Sequence, residues 1–315
     1  MKHALVRSLA AALATISMSL ATTVTNADQT FPTLRNPASN ITAVPSLTSS
    51  GRCIQKGSLW SCANPCVNSA MKWVPGNNTA LCTAYTLRAI NHARSVLREP
   101  KISLPANWRS LSEDEQLFTI VDIERVTLGY PAYLGLNADL SATATVAARE
   151  RRDPAPAPGF AVGYNPTGYL GIGGTWASAY NALEADYGWM YEDGWAGTRA
   201  TTDNIDCTSA SSNGCWGHRD ELLGSSSANP NAGVGLGCTD CEVGTGFANT
   251  AGNGSEVVLI ERPQATPPAM TFTWAHELGY FHGSLHIAKI PTVPTTTSST
   301  TSSTTTPVVP STTQP

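Results

Sequence analysis

The chain has 315 residues, with 19 Lys and Arg against 23 Asp and Glu, a formal net charge of -4 and only 13% charged residues. No Lys/Arg cluster builds the basic face that a nucleic-acid binder requires. The densest basic group, Arg149, Arg151 and Arg152, reads as the solvated end of a helix, so nucleic acid is not expected as a partner.

Residues 1–27 read as a secretory signal peptide. Lys2 and Arg7 charge its start, residues 9–20 form an Ala-rich apolar run, and Thr25-Asn26-Ala27 offers a small-residue cleavage site. The run is too short to span a bilayer, and no later stretch is long enough. The expected product is therefore secreted, extracellular or cell-wall associated, and not membrane-spanning. Residues 28–52 read as a linker.

The eight cysteines are Cys53, Cys62, Cys66, Cys82, Cys207, Cys215, Cys238 and Cys241. An even count in an exported chain favours disulfides over metal thiolates. Local pairing suggests Cys207–Cys215 and Cys238–Cys241, and the first four are expected to pair among themselves in an order that sequence does not select. Cys238-Thr239-Asp240-Cys241 has redox-motif spacing but no βαβ setting, so it reads as structural. Residues 53–110 thus form a cysteine-stapled extension with one helix.

That helix covers 79–99, with Leu81, Tyr85, Ala89, Ala93, Val96 and Leu97 at helical spacing and Pro100 as its stop. Ser112-Glu113-Asp114-Glu115 is a capping box, each end able to satisfy the other's orphan amide. It opens a second helix through Leu117, Ile120, Val121 and Leu128, closed by Gly129. A third starts near Asn137, runs through Leu140, Ala144, Ala147 and Ala148, and ends before Asp153-Pro154. Residues 153–174 read as a long Pro/Gly-rich loop, 176–193 as partly helical and 217–223 as a short helix. Strand-like segments come late, at 233–236, 243–248, 256–260 and 270–275. Helices first and strands afterwards predict an α+β domain over 111–287. From 288 to 315 the chain is almost entirely Thr, Ser and Pro, too polar to offset chain entropy, and reads as a disordered stalk.

Three blocks, in order, resemble the CAP superfamily of secreted domains (cysteine-rich secretory proteins, antigen 5 and pathogenesis-related proteins), and the bacterial SCP-like members in particular. The first is Val121-Asp122-Ile123-Glu124-Arg125 through Gly129, then Leu136-Asn137-Ala138-Asp139-Leu140. The second is Trp189-Met190-Tyr191-Glu192, similar to the family's W-x-x-E. The third is Cys215-Trp216-Gly217-His218-Arg219-Asp220-Glu221-Leu222-Leu223 followed by Gly233-Val234-Gly235, similar to its GHR block. The resemblance implies a CAP-like three-layer α-β-α sandwich with a central antiparallel sheet. It also implies a cleft gathering two His and two acidic residues, which hold a divalent metal in some members.

Carried over, His218 matches the GHR histidine, and Glu192 the W-x-x-E carboxylate, with Asp193 one residue on as the alternative. The other two positions depart from the pattern. Arg151-Arg152-Asp153-Pro154 stands where a His is often found, and Gly174 where a Glu is expected. An imidazole and one carboxylate do not complete a metal site. Asp153 is a candidate substitute, so divalent-metal binding is expected to be weak at most and no cofactor is expected. Trp176 and Trp216 would make the cleft apolar.

Two other motifs are incomplete. His276-Glu277-Leu278-Gly279-Tyr280 nearly spells a zinc-protease motif, but Tyr280 replaces the second His and His282 lies six residues on; the segment reads as strand followed by a polar exit. Ser69-Ala70-Met71-Lys72 has S-x-x-K spacing without the companion motifs S-D-N and K-T-G. The expected function is a non-catalytic module with a ligand cleft around His218, lined by Glu192, Asp193, Trp176, Trp216 and Asp153. Its partner would be an extracellular small molecule, lipid or cell-wall component. The alternatives are a metal-dependent hydrolase using His218, Glu192 and Asp153, and a plain structural or adhesion domain.

Overall fold

A computed structural model describes residues 36–42, 53–56, 59–62, 65–66, 79–154, 164–165, 168–169, 173–179, 181–195, 204, 207–212, 214–223, 242–250, 253–261 and 269–288. The expected signal peptide, the Thr/Ser/Pro tail, Ser69–Lys72, the segment 233–236 and the pair Cys238 and Cys241 lie outside the described residues. All described residues fall within one compact unit, 30–291, so the stapled extension and the α+β region are parts of the same body.

β1 (Cys53–Lys56) and β2 (Leu59–Cys62) form an antiparallel hairpin whose register sets Cys53 opposite Cys62. α1 (Ala80–Val96) starts at Thr79, whose hydroxyl accepts the Cys82 amide at 3.3 Å, and Cys82 is bridged to Cys66. That bridge joins two of the first four cysteines. Among the described residues no cysteine is free and no helix is long and apolar enough to cross a membrane. Disulfides of this kind suit an oxidising compartment.

α2 (Glu113–Thr127) has the full capping box, with Ser112 Oγ accepting from the Glu115 amide and Glu115 Oε2 accepting from the Ser112 amide. Every residue from Gln116 to Thr127 is buried, polar ones included. α2 is therefore the central post of the core, around which Ile90 and Ala93 of α1 pack with Ile120, Ile123, Tyr187 and Met190.

β3 (Gly135–Asn137) leads straight into α3 (Ala138–Glu150), with Asn137 as N-cap. A small hairpin, β4 (Tyr164–Asn165) and β5 (Gly168–Tyr169), breaks the expected long loop. β6 (Gly173–Ala177), α4 (Ala182–Tyr191), α5 (Gly217–Leu223), β7 (Glu242–Thr250), β8 (Asn253–Glu261), β9 (Met270–Thr273) and α6 (Trp274–Glu277) complete the order.

The main sheet runs β6-β8-β7-β3-β9. It is mixed, where a purely antiparallel sheet was expected. β3 pairs parallel with β7 through Gly135 to Glu242 and Leu136 to Val243, while the other neighbours are antiparallel. The parallel pair follows from connectivity, since a long crossover that includes α3 returns the chain in the same direction. The expected last strand, 270–275, stops at Thr273, whose hydroxyl caps α6 by accepting the His276 amide at 3.3 Å. Instead of a polar exit, the chain folds back. Trp274 and Phe281 are buried, and the Ala106 amide donates to the Tyr280 carbonyl.

α3 lies on one face of β7. A Cβ on Gly244 would sit 2.2 Å from the Leu140 backbone, and one on Gly246 2.2 Å from the Thr145 nitrogen. The intervening Thr245 points the other way and donates its hydroxyl to the Asp114 carbonyl of α2 at 3.0 Å, as strand alternation requires. Because both near contacts are helix backbone, Gly246→Ala forces α3 off the sheet. A loss of about 1–3 kcal/mol is expected in urea unfolding, the usual range for overpacking.

Residues 36–42, expected as linker, dock on this body. Ile41 is buried, its amide donates to the Tyr191 carbonyl at 2.9 Å, and its carbonyl accepts the Tyr187 hydroxyl.

Candidate functional site

α4 is buried along nearly its whole length and is capped by Asn181, whose Oδ1 accepts the Glu184 amide at 3.0 Å. It stops at Tyr191, and the chain turns so that the next carboxylates differ in fate. Glu192 closes the helix, its amide donating to Gly188, and its charge acts on Tyr187. Asp193 turns inward and is 2% exposed.

Asp193 organises the start of α5. Its Oδ2 accepts the backbone amides of His218 (2.9 Å) and Arg219 (3.4 Å), and its Oδ1 meets His218 Nδ1 at 2.6 Å. Asn204 Nδ2 reaches the same Oδ1 at 2.6 Å and the Gly214 carbonyl at 2.8 Å. Asn204 is itself held through Oδ1 by the Cys207 amide, at the foot of the Cys207–Cys215 bridge. The disulfide thus positions the loop that presents His218. Trp216, at φ 63°, donates its amide to the Asp193 carbonyl and lays its ring where a Cβ on Gly194 would be, 2.4 Å away.

The remaining charged residues of the motif blocks anchor helix ends. Arg219 donates to the Met190 carbonyl at 2.8 Å and pairs with Glu99 at 2.9 Å. Arg125 lies over the Tyr133 ring at 3.8 Å and donates to the Leu222 carbonyl, as does the Tyr133 hydroxyl. Cations and donors at the carboxyl ends of α4 and α5 satisfy carbonyls that those helices leave open.

His218 keeps 21% of its side chain exposed and has no hydrogen bond through Nε2 among the described residues. Burial opposes its charged form, but the Asp193 hydrogen bond and charge, with Glu221 and Asp153 beyond, outweigh burial and raise its pKa above the ordinary 6.5. Glu221, one helical turn on, is pushed from 4.5 up to about 7 by burial, with His218 lowering it and Asp153 and Asp193 raising it. Asp153 is exposed and follows the left-handed Arg151 that ends α3.

Asp193 therefore stands beside His218, and the charge of Asp153 reaches both His218 and Glu221. The two expected tryptophans are engaged in packing. Trp176 packs against the alanines of α3, and its carbonyl accepts from Trp189 Nε1 at 3.4 Å. Trp216 is buried at 7% exposure under Gly194. At Gly174 a Cβ would lie 2.4 Å from Pro154 Cγ, so the space in which the resemblance puts a Glu is closed by the residue after Asp153. Glu221 was missed, although its i, i+3 spacing from His218 on a helix signals a shared face. Asn204 carries no local signal.

Among the described residues no group of three or more His, Cys, Asp or Glu is arranged to hold a metal ion. Beyond β9, Tyr280 meets His276 edge to face at 5.5 Å between ring centres, and Glu277 is fully buried, accepting from Asn107 at 3.0 Å. No imidazole pair forms there.

The pKa directions predict a pH effect. Glu221 has a raised folded value, so its contribution to stability is complete below 4.5 and is lost as pH rises through about 7. His218 acts in the same sense, with full contribution below 6.5 and loss above, through its raised folded value. Urea unfolding should weaken between pH 5 and pH 8, and Glu221→Gln should flatten that slope by about 1–3 kcal/mol. An unchanged slope would contradict the burial of this carboxyl.

No family model, no curated protein and no solved structure matches this chain.

Proposed function

We propose that the chain is an exported, non-catalytic extracellular module of CAP-like, three-layer α-β-α build. It binds its ligand at the surface around His218 and Asp153, with Asp193 and Glu221 behind the imidazole. The observation that carries this reading is the His218–Asp193 contact, in which the histidine of the GHR block and the residue after the W-x-x-E block, 25 residues apart, meet at 2.6 Å. The placement of α3 on one face of β7 and α2 on the other supports the sandwich.

With Nδ1 engaged by Asp193, Nε2 is the imidazole atom available to a ligand. The exposed Asp153, whose charge reaches the imidazole, favours a partner rich in hydroxyl, amide or amino donors, which suits cell-wall material better than an acyl chain. Binding of soluble cell-wall fragments, and of lipid micelles as the contrast, can be followed through the His218 ring resonances. Wall fragments should shift them, and His218→Ala should weaken binding at least about 10-fold, equivalent to ~1.4 kcal/mol. Equal binding by wild type and variant would refute the site. Zinc calorimetry on the same pair separates the metal-dependent hydrolase. Tight zinc binding lost in His218→Ala would favour that enzyme instead.

A further inference from the structure

Behind the His218 site, a buried set of charges joins four helices. Arg94 of α1 pairs with Glu124 of α2, and Arg219 of α5 pairs with Glu99 in the turn after α1. The Tyr191 hydroxyl donates to Glu124 Oε1 at 2.7 Å. The last member is Asp186 of α4, which is 0% exposed and whose two carboxyl oxygens have no hydrogen-bond partner among the described residues. The groups whose charge reaches it are Glu124, Arg94 and Arg219.

The charge count does not close with every acid ionised. Arg94 and Arg219 supply two cations; Glu124 and Glu99 use both; Asp186 is the third carboxyl and no cation remains for it. An isolated ionised carboxylate in such surroundings is too costly to persist, and takes up a proton instead.

We propose that Asp186 is a buried proton site, held as the neutral acid in the folded protein, and that losing this proton as pH rises loosens α4 and with it the Asp193 hold on His218. The coupling is mechanical. Asp193 follows α4 by two residues, and Arg219 fastens the α4 end to α5 through the Met190 carbonyl. A carboxylate formed at Asp186 would draw Arg219 away from Glu99 and Met190. The His218 and Arg219 amides, both bonded to Asp193 Oδ2, report the change. Burial raises the carboxyl's pKa well above its usual range, with Glu124 adding to the rise and Arg94 and Arg219 opposing it. By linkage, the stability held in this proton is complete below the unfolded value near 4 and is lost as pH rises toward the folded one. The device operates whether or not the ligand reading above is correct.

The test compares wild type with Asp186→Asn, an uncharged near-isostere of the neutral acid. Urea midpoints and amide protection at His218 and Arg219 are measured at pH 5, 7 and 9. The variant should gain on wild type as pH rises, in both midpoint and protection. Curves that run parallel across this range would overturn the proposal. If the variant does not fold, the carboxyl carbon resonance of Asp186 in wild type decides alone. An acid-type shift at pH 7 supports the proton site, and a carboxylate-type shift overturns it.

Discussion

Arg94→Ala should cost about 3–5 kcal/mol in urea unfolding, the range found when one partner of a buried ion pair is removed. The guanidinium is 0% exposed and divides its donors among three acceptors, two on α2 and one in the turn after α1. Nη1 pairs with Glu124 Oε2, Nη2 donates to Thr127 Oγ1 at 2.8 Å, and Nε donates to the Pro100 carbonyl at 2.6 Å. Truncation strands Glu124 as a desolvated charge whose only remaining hydrogen-bond donor among the described residues is Tyr191, and it frees the Pro100 carbonyl that turns the chain after α1. Arg94→Lys should recover little, since one ammonium cannot span three directions that a planar fork fits. Arg94→Met combined with Glu124→Leu should recover most of the loss, because the pair vanishes without leaving a lone charge. A double variant as unstable as Arg94→Ala would mean that Thr127 and Pro100, rather than the ion pair, carry the effect.

That network marks the limit of what could be read from the sequence. Helix starts were legible because their chemistry is local. Ser112 and Glu115, Thr79, and Asn137 each satisfy amides within three residues. The long strands β7 and β8 were legible from β-branched residues between turn signals. β3 is three residues long and β6 begins with two glycines, so neither has a strand composition. The buried charges were not legible at all. Arg94, Arg125 and Arg219 are the largest fully buried side chains, yet each looks like a solvated helix residue until its partner is known. Those partners lie far along the chain: Arg94 and Glu124 are 30 residues apart, and Arg219 and Glu99 are 120 apart. Burial of charge is specified by pairs, and a single sequence displays only members. The site shows the same division. His218 and a nearby carboxylate followed from the resemblance of their blocks to the CAP pattern, but the choice of Asp193 over Glu192 depends on how the chain leaves α4.

Asp193→Asn should be the second large effect, and it separates structure from electrostatics at the site. Four donors converge on this carboxylate: two backbone amides, His218 Nδ1 and Asn204 Nδ2. An asparagine offers one acceptor oxygen and turns an amino group toward donors that cannot accept. At least one buried hydrogen bond to a charged group is lost, worth about 1.5–3 kcal/mol, with a desolvated donor left over. The expected loss in urea unfolding is therefore about 2–4 kcal/mol. The pKa of His218 should move as well. Burial alone lowers it, and Asp193 is the foremost of the groups that raise it, so the neutral imidazole should prevail at a lower pH than in wild type. Proton-detected titration of the ring reads this shift independently of stability. A smaller loss with a normal downward shift would mean that Asn204 rotates to accept in place of donating. An unshifted histidine would show instead that Glu221 and Asp153 hold the imidazolium, and would move the centre of the site one helical turn along α5.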